Sequence, residues 1–179
     1  PGGPRRRCAS CSVVLGPLRI KPRKAVGEGA VKVAVRPEAW SIGPPGTGLG
    51  ARLAMADALA RAGVQPADIG YLNLHGTATP ANDTIEAQAV ASMFPESLHA
   101  SSTKGWTGHT LGAAGIVESV IALLALEHGV LPGILNSGER DPACGAQIRF
   151  DNQERGIRYA MNNSFGFGGN NCSLVFAAA

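Results

Sequence analysis

Charge and aromatic side chains are both scarce in this 179-residue chain: 16% of residues are charged and nine are Phe, Trp or Tyr. Scarce charge beside an apolar share of 45% excludes wholesale disorder, which needs high net charge and little apolar material. Four cysteines, at positions 8, 11, 144 and 172, are too few for a dense disulfide framework, so reduced thiols are expected. Long hydrophobic runs are missing too. The longest, Ile116 to Leu126, contains Glu118 and falls short of the roughly 18 residues that cross a bilayer, so no membrane span is expected. Pro1 to Arg7 leads only into a brief Val13-Val14-Leu15 patch, which lacks the apolar core of a secretory signal, and a cytoplasmic location follows as the expectation.

What is abundant is Gly 24 and Pro 12, which point to many tight turns in a chain whose length suits one packed domain. Residues 1–36 carry nine Lys/Arg against one acid, and residues 37–179 carry seven against twelve. A basic arm can meet nucleic acid, but this one has no interleaved aromatics or helical pattern, so a solvated tail is expected and no nucleic-acid partner. Position 1 is proline and the first methionine is Met55. The chain is therefore expected to be incomplete, or its first few dozen residues to be atypical.

Cys8-Ala9-Ser10-Cys11 has the spacing of half a zinc site, but Cys144 and Cys172 stand alone and a structural zinc needs four ligands, so no metal is expected. Residues 25–35 end in period-two alternation and predict a strand. Gly46-Thr47-Gly48-Leu49-Gly50 lacks the spacing of a dinucleotide loop. Ala51 to Ala62 predicts a helix stopped by Gly63, and Ile69 to Leu74 a strand ending at His75-Gly76-Thr77-Ala78-Thr79. A histidine at the end of such a strand lies where open α/β sheets place their ligands. Asn82 to Glu86 opens a further helix, with Asp83 and Glu86 read as helix-stabilising acids. His99 and His128 read as surface or capping residues. Gln147–Asp151 and Arg158–Asn162 predict strands joined by a turn over Asn152–Gly156, and Cys172 falls in a core strand.

Two stretches concentrate polar chemistry. In Ser101-Ser102-Thr103-Lys104-Gly105-Trp106-Thr107-Gly108-His109, followed by the apolar helix with Glu118, charge sits where burial is expected. Burying unpaired charge costs several kcal/mol, so Lys104, His109 and Glu118 satisfy one another or a ligand, unless they point out at the rim of a capped core helix. Asn163-Ser164-Phe165-Gly166-Phe167-Gly168-Gly169-Asn170 has the glycine density that lets backbone amides approach an oxygen, although a plain glycine-rich hairpin has it too.

Together the His75 to Glu86 stretch, the Lys104 to Glu118 stretch and the Asn163 to Asn171 stretch resemble the C-terminal half of β-ketoacyl-acyl-carrier-protein synthases of the two-histidine type. The resemblance runs from about Gly48 to Phe176, dividing the chain into an atypical basic segment, 1–47, and a synthase C-terminal domain, 48–179. It implies a thiolase-like α/β fold, of which this chain holds one half, with a mixed sheet, helices on both faces and a buried glycine-led helix. It further implies that His75 and His109 donate to a thioester oxygen, that Lys104 and Glu118 support them, that Thr77 and Thr79 contact phosphopantetheine, and that Phe167 with Gly168 gates the acyl pocket and offers an oxyanion amide. No cofactor is implied beyond substrates carried on acyl carrier protein: malonyl and acyl thioesters, handled by a homodimer in the intact family. The family's nucleophilic cysteine has no counterpart here. Cys11 lacks the strand–turn–helix setting that such a nucleophile needs. The alternative is a non-catalytic fragment or partner subunit acting on a full-length subunit.

Overall fold

A computed structural model describes residues 48–166 and 170–178, with the short segments 13–15 and 18–20. The strand expected within 25–35, the Cys8–Cys11 pair, Phe167 and Gly168 lie outside the described residues. Two three-residue strands, β1 (Val13–Leu15) and β2 (Leu18–Ile20), pair antiparallel.

The main body starts with α1 (Leu49–Ala62). Gly63 ends it at φ 69, where Gly63 N–H reaches Ala60 O and Val64 N–H reaches Leu59 O, both at 3.2 Å. A left-handed residue at this position closes the last turn, as the glycine predicts. There follow β3 (Ile69–Asn73), α2 (Pro80–Met93), β4 (His99–Ser101), the short α3 (Lys104–Thr107) and α4 (Ala114–His128). The chain closes with β5 (Val130–Leu131), β6 (Gln153–Glu154), β7 (Tyr159–Phe165) and β8 (Asn171–Ala177). Helix α2 begins two residues before Asn82, because Pro80 at its first position brings a preset φ and needs no N–H partner there.

Four strands form one mixed sheet in the order β4-β3-β7-β8. β3 runs parallel to β4 and β7, and β8 returns antiparallel to β7. Successive side chains alternate between its faces. Leu72, Met161 and Val175 pack in one cluster with Met55, Leu59 and Val90 of α1 and α2, while Tyr71, Ala160 and Phe176 pack in another with Ala122 and Ala125 of α4. The result is helix, sheet, helix, the α/β arrangement expected. The parallel strands deliver the loops after β3 and β4 to the same end of the sheet.

The fold differs from sequence expectation elsewhere too. Residues 147–151 form no strand, and only Ile148 bridges to Ala100. Phe150 passes Gly133 so closely that a Cβ there would lie 2.1 Å from its carbonyl oxygen. Asn152 Oδ1 then accepts Gly133 N–H at 2.8 Å, and pairing resumes only at Gln153–Glu154, within the stretch read as a turn. His99 is buried, 1% exposed, with Nε2 2.8 Å from Pro132 O. Finally, Leu111–His128 is long and apolar enough to cross a membrane by length and composition, with mean hydropathy 1.6 over 18 residues. Run length alone therefore does not argue against a span. One side of α4 packs inside, with Ala114, Glu118, Ser119, Ala122 and Ala125 buried, and 28% of the 18-residue segment is buried in all. Its other side carries Ile116, Val120 and Leu124, one turn apart and 66%, 48% and 45% exposed.

Candidate active site

The site begins where β3 stops. Asn73 and Thr103 exchange side-chain hydrogen bonds of 2.9 and 3.3 Å, pinning the ends of β3 and β4 side by side. His75 follows, buried at 6% exposure. Its N–H and that of Gly76 each donate at 2.9 Å, to Glu86 Oε1 and Oε2 respectively. Gly76 has φ 37, and a Cβ on it would lie 2.4 Å from Ser102 Cβ. Glycine is therefore required where the turn presses on the next loop, and Ser102 Oγ donates to Gly76 O at 2.9 Å.

Glu86 differs from its sequence reading in what its carboxylate does. Asp83 occupies the first turn of α2, but Glu86 is 2% exposed and turns back to hold the His75 turn. Burial raises its pKa, while the amides of Gly76 and His75, Asn163 and the charge of Lys104 oppose the rise. The signal in the sequence is periodic: Glu86 shares a helical face with Ala89 and Val90, both buried, so its carboxylate had to find partners inside.

Lys104 joins the two loops. Its Nζ bonds to Glu118 Oε1 and to His75 O and lies 3.4 Å from His75 Nδ1. Only 7% of the Lys104 side chain and 2% of the Glu118 side chain is exposed. Glu118 is pushed up by burial and pulled down by Lys104. Glu118 Oε2 and Asn162 Oδ1 are buried without a partner among the described residues. An ammonium only donates, so His75 Nδ1 is the acceptor and its ring proton sits on Nε2. Burial, then the charge of Lys104, then His109 push the imidazole down to about 4. It is neutral at pH 7.

His109 lies in the loop between α3 and α4. Leu111 N–H donates to its Nδ1 at 3.1 Å, which again leaves the proton on Nε2. The two rings stand edge-on at 88° with centroids 5.7 Å apart, and the Phe165 ring lies 6.0 Å from that of His75. Asn162 Nδ2 fastens the start of α4 to β7 by donating to Gly115 O and Ser119 Oγ, both at 3.1 Å. The structure thus pairs Lys104 with Glu118 beside His75 and sets the His109 ring against that of His75, but His109 is exposed and its Nδ1 bonds Leu111 N–H, so the expectation that it is buried with Lys104 and Glu118 is not met.

Thr77, half-buried, and Thr79, exposed, follow the His75 turn with their hydroxyls 2.9 Å apart. The thiols of Cys144 and Cys172 are both pushed up, chiefly by burial. That is the reverse of what activates a thiolate. Among the described residues no group of three His, Cys, Asp or Glu could hold a metal.

Residues 32–137 match the family described as Beta-ketoacyl synthase, C-terminal domain. The mitochondrial 3-oxoacyl-[acyl-carrier-protein] synthase of Arabidopsis thaliana is 46% identical over 142 residues, 75% of this chain and 31% of the relative. The 3-oxoacyl-[acyl-carrier-protein] synthase 2 of Staphylococcus aureus is 41% identical over 137 residues, 74% of this chain and 34% of the relative. Among solved structures, the ketosynthase ApeO in complex with its chain length factor ApeC, from Xenorhabdus doucetiae, has a TM-score of 0.71 at 42% identity, covering 83% of this chain and 38% of that one. A beta-ketoacyl synthase from Burkholderia phymatum STM815 also has a TM-score of 0.71, at 34% identity over 82% of this chain and 36% of that one. The chain spans about a third of the length of the curated relatives it matches.

Proposed function

The chain belongs to the β-ketoacyl synthase family through its C-terminal domain, and from that premise we propose that it supplies the enolate-forming half of a β-ketoacyl-acyl-carrier-protein synthase. The observation that carries this reading is the pair of occupied Nδ1 atoms, one facing Lys104 and one accepting Leu111 N–H. Each of the two neighbouring rings keeps an Nε2–H to donate.

The chemistry follows from what those donors meet. When a malonyl thioester loses carbon dioxide, the bond to the carboxylate breaks and its electron pair moves onto the thioester oxygen as an enolate. Two N–H donors aimed at that oxygen stabilise charge that develops only in the transition state, where fixed dipoles are most effective. The enolate carbon then attacks an acyl thioester carbonyl, expelling the nucleophile's thiolate. Lys104, paired with Glu118, holds His75 in tautomer and place, and Leu111 N–H does so for His109. Thr77 and Thr79 meet the phosphopantetheine arm of the carrier protein, and Phe167 with Gly168 shapes the acyl pocket and its oxyanion amide. The nucleophile comes from a segment other than the described one, in a dimer of the intact enzyme.

A second reading is a partner subunit without turnover. Two of the similar solved structures pair a ketosynthase with a chain length factor. One incubation separates the two. Given malonyl-carrier protein and an acyl donor, the 179-residue chain should release carbon dioxide and leave an acetyl thioester, with no β-ketoacyl product and no acyl group on any of its four cysteines, read by intact-protein mass spectrometry. Absence of carbon dioxide release supports the partner subunit. An acyl group on Cys11 followed by condensation would sink the assignment of the nucleophile to another segment.

A further inference from the structure

Behind the His75 turn lies a line of buried polar groups that the chemistry above does not use. Ser173 on β8 is 3% exposed and Asn163 on β7 is 0% exposed. Ser173 Oγ donates to Asn163 Oδ1 at 2.7 Å. Asn163 Nδ2 donates to Glu86 Oε1 at 3.1 Å and touches the weaker acceptor Met55 Sδ at 3.4 Å. Glu86 then takes the N–H groups of His75 and Gly76.

The direction of this line is forced by the chemistry of its members. A carboxylate ringed by donors only accepts, so the amide nitrogen of Asn163 must face Glu86 and its oxygen must face away. That oxygen is buried and needs a donor, which the hydroxyl of Ser173 supplies. Ser173 thus fixes the amide, the amide fixes the carboxylate, and the carboxylate fixes two consecutive amides of the turn that aims His75. The same strand, two residues on, carries Phe165 beside the His75 ring.

We infer that Asn163 and Ser173 are positioning residues, which act through Glu86 to lock the His75 turn to the β7–β8 hairpin. The kinetic part of this inference rests on the enolate reading; the structural part does not. The test uses the protein at its natural length. Asn163→Asp sets an acceptor against Glu86, Ser173→Ala removes one hydroxyl, and Ser173→Thr keeps it.

Malonyl decarboxylation should lose about 100-fold in kcat for Asn163→Asp and about tenfold for Ser173→Ala, with KM within about twofold. Ser173→Thr should recover to within about threefold of the parent. Amide hydrogen exchange at His75 and Gly76 should quicken by about tenfold or more in the two damaging variants, with the amides of β3 and β7 unchanged. A packing defect alone would not give that pattern. If Asn163→Asp does not fold, Ser173→Ala decides by the same readouts. Unchanged kcat and unchanged exchange at His75 and Gly76 in folded Ser173→Ala would overturn the inference. Should the parent release no carbon dioxide, the enolate reading fails, and the exchange at His75 and Gly76 alone confirms or overturns the lock.

Discussion

Replacing His75 by alanine in the protein at its natural length should cut malonyl decarboxylation by about 10² to 10³, the effect of removing one donor from an oxyanion site. The loss should fall on rate rather than on folding. Lys104 keeps its bonds to Glu118 and to the residue 75 carbonyl oxygen, neither of which involves the imidazole. The backbone amides that Glu86 holds also remain. A carbon dioxide release assay beside a thermal melt checks both halves. Undiminished release in a folded variant would remove His75 from the proposed chemistry.

The other large effect is expected at Lys104. Lys104→Met leaves Glu118, 1% exposed, without its cation, and breaking a buried pair by removing one partner costs about 3–5 kcal/mol. His75 Nδ1 also loses the neighbour that fixes its tautomer. Stability and rate should both drop, and they separate in the double variant. Lys104→Met with Glu118→Gln removes the stranded charge and should recover most of the stability in urea unfolding, but not the rate. A single variant within about 1 kcal/mol of the parent would show that the pair is far wetter than its burial indicates.

Both effects trace to residues that the sequence makes visible. His75 stands at a strand end, and Lys104 and Glu118 are charges in an otherwise apolar setting, so position and burial cost point to them. The helix over Ala114–His128 and the glycine stop at Gly63 are legible for the same reason: period and capping are local. Glu86 was harder. Its place near the start of α2 suits a helix-stabilising acid, and only the direction of its side chain, set by the packing of α2 on the sheet, turns it to the His75 turn. His99 shows the same limit, since the partner of its Nε2, Pro132 O, lies 33 positions away. Asn163 could be seen only as part of a glycine-rich stretch, because its partners Glu86 and Ser173 lie on α2 and β8. The strand at Gln153–Glu154 is two residues long and exposed, too short to leave a period.

The central claim is that His75 is a neutral imidazole with its proton on Nε2. Histidine nitrogen NMR, titrated from pH 8 to about 3.5 in the folded protein, tests that most directly. His75 should keep the Nε2–H pattern down to an apparent pKa of about 4. A free histidine takes up its proton near 6.5, which the folded site refuses, so the unfolded chain binds more protons between 6.5 and about 4. His75's contribution is therefore fully present above pH 6.5 and is lost as pH falls towards 4. A Nδ1–H pattern, or a midpoint near 6.5, would contradict the account, because His75 would then lack either the donor or the neutrality that enolate stabilisation requires.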